Sequence, residues 1–140
     1  MDKQATFEFV ARHLFRQGCR ATIVNQYTAT KLTCVSCVSC VYRGPNGLKC
    51  AVGCLIPEKL DGLIEENITV RSLKPAILDA IGVKEDDDVT FLGDLQLIHD
   101  NENNWTEPCR LKASLARCAS TWELDYGFLE DLAEFGQPAP

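Results

Sequence analysis

Phe7, Val10 and Leu14 recur at three- and four-residue intervals between Lys3 and Gln17, with Ala11 filling the stripe, and Gly18 follows. This spacing predicts an amphipathic helix that stops at the glycine. From Thr22 to Tyr42 the helical period is lost and Val, Thr and Tyr accumulate, which predicts one or two strands. Gly44-Pro45-Asn46-Gly47 then has the residues of a tight reversal. A hairpin about Pro45-Asn46 sets Val41 opposite Cys50 and brings Cys40 and Cys50 together at its open end. Cys50 to Ile56 predicts a short helical turn ended by Pro57, with Cys50 and Cys54 on one face.

The second half returns to helical spacing. Asp61 to Thr69 is polar and reads as a loop, after which Ser72 is a good N-cap for a helix carrying Leu73, Ile77 and Ile81. Gly82 closes it. The acidic run Glu85-Asp86-Asp87-Asp88 suits the positive end of a helix dipole and opens a helix bearing Phe91, Leu92, Leu95 and Ile98. Asp100 to Thr106 reads as a polar loop, and Pro108 begins a helix with Leu111, Leu115, Cys118 and Trp122 on one face. Phe128, Leu132 and Phe135 suggest a last short helix after Gly127, and 136–140 reads as a disordered tail. The expected fold is mainly α with one small β-hairpin, a single compact domain over 1–135. The 140-residue length allows one core.

Charge divides the chain. Residues 1–60 carry +5, residues 61–140 carry −11, and no basic residue follows Arg117. Glu123, Asp125, Glu130, Asp131 and Glu134 crowd that last stretch. Such a half repels phosphate backbone and favours a basic partner surface, so nucleic acid is not the expected ligand. No apolar run reaches the roughly 20 residues of a membrane span. The polar start has no signal-peptide core, which makes the cytoplasm the expected compartment.

Eight cysteines change the picture again, because five fall between positions 34 and 54. With reduced thiols as the expectation for an unexported chain, Cys37-x2-Cys40-x9-Cys50-x3-Cys54 supplies two sulfur pairs across the hairpin, a pattern suited to tetrahedral zinc. Cys34 can replace a member of the first pair. Zinc is the expected cofactor and an iron–sulfur cluster a lesser option. His99, with Asp100 beside it, is an alternate ligand, or else a base for a cysteine nucleophile at Cys50 or Cys40. Burial of the same thiols as plain packing is the competing explanation. His13 reads as exposed on the first helix. Arg43 and Lys49 flank the reversal as a small basic lip. The chain contains no GxGxxG, Walker A, GxSxG or HExxH pattern.

The stretch from Cys40 to Pro57, CVYRGPNGLKCAVGCLIP, resembles small uncharacterised proteins of bacteriophages and prophages. Leu95-Gln-Leu-Ile-His-Asp100 with Trp105 is similar to a second block in them. The resemblance implies a small, mostly helical protein of viral or mobile-element origin and implies no activity. Cys34 and Cys37 lie outside its pattern, which raises Cys40, Cys50, Cys54 and His99 as the alternative ligand set. The expected function is binding of a host protein with a basic surface, to inhibit a defence or nucleic-acid-processing complex. The partner-contacting residues are Arg43, Lys49, Glu123, Asp125, Glu130, Asp131 and Glu134. The alternative is a cysteine-nucleophile enzyme with His99 as base.

Overall fold

The computed structural model describes residues 1–24 and 38–136. Its first helix, α1, spans Lys3–Gln17, as the Phe7/Val10/Leu14 stripe predicts. Asp2 caps it by accepting the Ala5 N–H, and Gly18 ends it in the left-handed region at φ 72°. Two three-residue strands follow, β1 (Thr22–Val24) and β2 (Val38–Cys40), paired antiparallel with Thr22 opposite Cys40.

Among the described residues three further helices follow. They are α2 (Pro75–Ala80), α3 (Asp86–Asp100) and α4 (Pro108–Thr121), joined by short 3-10 turns. One apolar cluster packs α1, α3 and α4 through Phe7, Leu14, Phe91, Leu95, Leu111 and Leu115. Cys118 and Leu129 belong to it, with Phe128, Leu132 and Phe135 partly buried against it. A second cluster gathers Tyr42, Cys50, Val52, Ile56, Ile77 and Ile81 around Leu92. Helix α3 therefore serves both cores with adjacent residues, Phe91 to one and Leu92 to the other.

The acidic run opens α3 as expected, through a capping box. Glu85 is the N-cap, and Asp88 accepts the N–H groups of Lys84 and Glu85 at 2.8 and 3.2 Å. Asp88 is buried, yet Lys3 Nζ reaches it at 3.2 Å and the chain's amino group at 3.9 Å, tying α1 to α3. Burial alone would raise its pKa. The Lys84 N–H, the Lys3 ammonium and the Glu85 N–H outweigh that and hold it below the usual carboxylate value. A depressed folded pKa contributes stability that is complete above the unfolded value of about 3.9 and is lost as pH falls through the folded one. Urea unfolding of Asp88→Asn is accordingly expected to show a shallower acid limb below about pH 4 than wild type. Parallel limbs would contradict the assignment.

The structure departs from the sequence reading in several places, the expected loops at 61–69 and 100–106 among them, since 3-10 turns at Glu58–Leu63 and Glu102–Trp105 run into them. The reversal at Pro45–Gly47 is a 3-10 turn with Asn46 at φ 60°, and its one bridge joins Arg43 to Lys49. Tyr42 rather than Val41 therefore faces Cys50, whose N–H reaches the Tyr42 carbonyl at 3.4 Å, and no ladder forms. Ser72 ends a 3-10 turn instead of capping a helix. The residue before a proline is pushed to extended backbone, so Lys74 (ψ 143°) forces the helix to begin at Pro75. The segment after Gly127 is a 3-10 turn, Gly127–Asp131, and not an α-helix. His13 is half-buried, its Nε2–H on the Lys49 carbonyl at 3.1 Å, and burial lowers its pKa. Of the expected tail at 136–140, Gly136 is held by its N–H on the Phe15 carbonyl at 3.1 Å, while 137–140, like Cys34 and Cys37, lie outside the described residues.

Candidate functional site

The carboxyl end of α3 leaves carbonyls without intrahelical partners, and side chains supply the donors. Asn104 donates to the Ile98 carbonyl at 2.9 Å, Trp105 Nε1–H to that of His99 at 2.9 Å, and Arg20 to that of Asp100 at 3.2 Å. His99 is thereby fixed with no exposed surface, and both ring nitrogens are committed. Its Nε2 accepts the Ala21 N–H at 2.9 Å, so the single ring proton sits on Nδ1, which donates to Asp100 Oδ1 at 2.8 Å. Gln96 Nε2–H donates to the same oxygen at 3.0 Å, and Cys40 Sγ lies within 4.8 Å of that carboxylate. Desolvation opposes ionisation of Asp100, but the hydrogen bonds from His99 and Gln96 outweigh it and hold its pKa low.

Cys40, His99 and Asp100 are the three described residues whose ligand atoms gather within 4.8 Å of one another. Cys50 and Cys54 do not join them. Cys50 is fully buried, its Sγ accepting the Gly53 N–H at 3.1 Å, while the Cys54 thiol donates to the Ala51 carbonyl at 3.1 Å. Burial pushes each of these two thiols up to about 12. Cys40 is raised too, chiefly by desolvation and by the charge of Asp100. A zinc ion can find sulfur at Cys40 and oxygen at Asp100, but a neutral His99 has no free nitrogen for it unless the Ala21 contact breaks. The same contact withholds the lone pair that a general base would need. Neither thiol is thus poised as a thiolate.

Arg43 is an internal latch and not a basic lip. Its guanidinium donates to the Gly53 carbonyl, to the Ile56 carbonyl at 2.7 Å and to Asp61 Oδ1 at 2.9 Å. Glu66 accepts the N–H groups of Tyr42 and Arg43 at 2.8 and 3.2 Å, and the Tyr42 hydroxyl donates to the Ile68 carbonyl at 2.7 Å. Lys49 stays partly exposed and pairs with Glu58 at 3.5 Å. Glu123, Asp125, Glu130, Asp131 and Glu134 are all exposed, and none forms an ion pair with a described residue.

A cleft of about 540 Å³ opens beside this node. Thr90, Gly93, Asp94, Leu97 and Asp100 form one wall, the face of α3 that neither core covers. Tyr42, Ile68 and Val70 form an apolar wall opposite, held in place by the Arg43 and Glu66 contacts. Asp94 is partly exposed, and its Oδ2 accepts Trp122 Nε1–H at 2.9 Å. Sequence reasoning passed over Gly93 and Asp94. The available signal was a stripe of small or polar residues at positions 90, 93, 94 and 100, interrupted by Leu97 and complementary in phase to the apolar stripe of the same helix. Neither a protein-family model, nor a curated protein, nor a solved structure matches the chain.

Proposed function

We propose that this chain is a binding protein, not a thiol enzyme, and that its partner presents a basic surface. The observation that supports this reading is the row of five exposed carboxylates between Glu123 and Glu134, unpaired among the described residues. The chain from Trp122 to Phe135 is anchored to α1 by Phe7–Phe128 and Phe15–Phe135 edge contacts at 5.8 and 5.2 Å, so the charges are presented on a fixed scaffold. With the resemblance to bacteriophage proteins, the partner is a host protein, and the action is stoichiometric occupation of its surface. The binding reading does not depend on zinc, for which the described residues gather Cys40, His99 and Asp100.

The test is fluorescence anisotropy with a labelled oligoarginine peptide. Binding should weaken as salt is raised. Replacing the five carboxylates by lysine should weaken it further, by on the order of tenfold or more, since each exposed pair is worth up to about 1 kcal/mol. Equal affinity for wild type and the reversed variant would sink the reading.

A further inference from the structure

We infer that the cleft along α3 receives the cationic end of a Lys or Arg side chain from that partner, an inference that rests on the basic-partner reading. Among the described residues the lining contains two carboxylates, Asp94 and Asp100, and no Lys, Arg or His. Arg20 is not part of the lining; its guanidinium donates to Cys40 Sγ at 3.7 Å and to the Asp100 carbonyl at 3.2 Å, and pairs with Glu102 at 3.8 Å. Asp94 is held by the Trp122 indole through one oxygen only, and Oδ1 has no partner among the described residues. The carboxylates are thus oriented from the protein side and remain open to a donor from the cleft.

The rest of the wall suits the stem of such a side chain. Lys and Arg carry methylene groups that pack on apolar surface while the charged head finds its partner. Ile68, Val70 and the ring of Tyr42 provide that surface, and Leu97, 68% exposed, is left uncovered at the rim.

Gly93 is an independent indication. Glycine in a helix interior is unfavourable relative to alanine, and nothing in the backbone requires it here. A Cβ at this position meets no atom within 4 Å, so packing does not require it either. The missing side chain widens the cleft between Asp94 and the apolar wall, which is a local rule broken to the benefit of a site.

The experiment is an NMR titration of ¹⁵N-labelled protein with N-acetyl-arginine amide. The signals to follow are the Trp122 indole N–H and the amides of Gly93 and Leu97. Saturable shifts are expected, and the uncharged isostere N-acetyl-citrulline amide should give none. Gly93→Leu should weaken the binding by on the order of tenfold with the melting temperature unchanged or raised. Gly93→Ala, smaller and favoured in a helix, supplies the same comparison if leucine perturbs the fold. Equal shifts with the two amides, or shifts indifferent to both variants, would overturn the inference. So would shifts that follow protein concentration without ligand, which would assign the cleft to a second copy of the chain. If the oligoarginine peptide binds wild type and Gly93→Leu alike yet depends on the acidic segment, the cleft proposal fails while the basic-partner reading stands. If the amide binds and no peptide does, the cleft takes a free cation and the docking proposal fails along with that reading.

Discussion

Gly53→Ala is expected to lower the melting temperature by on the order of 10 °C. An added Cβ would lie 2.2 Å from the Tyr42 carbonyl oxygen, 3.0 Å from its carbon and 3.2 Å from Cys50 Sγ. The first two are backbone atoms at the crossing of two chain segments, and neither can swing aside as a side chain would. Arg43 grips the same spot through the Gly53 carbonyl, so relief by backbone movement also breaks that contact. Overpacking of this severity costs about 3 kcal/mol, which gives the temperature shift for a chain of this length. Gly62→Ala is the control, because its Cβ would meet nothing within 4 Å. Calorimetry that finds the two variants alike would refute the close approach.

The second large effect is expected at His99. His99→Leu keeps the apolar contacts with Trp105 but leaves the buried Ala21 N–H without an acceptor and Asp100 without its shortest donor. An orphaned buried donor costs about 1–3 kcal/mol beyond the hydrogen bond itself, so a loss of about 3 kcal/mol in urea unfolding is expected. Ala21 precedes β1, and its carbonyl accepts the Val41 N–H at 2.9 Å. Hydrogen exchange at Val41 should therefore accelerate ahead of global unfolding. Unchanged protection there, with an unchanged urea midpoint, would mean that the imidazole is not the link between β1 and α3.

What the sequence disclosed and what it hid divide along physical lines. Phe7, Val10 and Leu14 with Gly18, the Glu85–Asp88 run, and Pro108 ahead of Leu111 all encode local preferences, and α1, α3 and α4 appear at those places. The cysteine spacing was ambiguous because a thiol is also a small apolar group. Cys50 sits among Val52, Ile56 and Leu92 as a packed residue, a role that spacing cannot distinguish from a ligand. Arg43 read as a surface charge because its acceptors are carbonyls, which every residue has and no sequence pattern marks. The junction of Cys40 with Asp100 spans sixty positions and depends on the docking of β2 against α3. His99 and Asp100 were noticed as neighbours, but the Ala21 N–H that fixes the ring's tautomer was beyond the reach of any pattern.

Phe91 and Leu92 anchor separate apolar clusters from consecutive positions on one rod. Neither cluster can let go of α3 without withdrawing support from its neighbour, so the two should melt in a single cooperative step and not as independent subunits of structure. Damage near Arg43 will then be felt as loosening around Phe7, at the far side of the molecule's central strut.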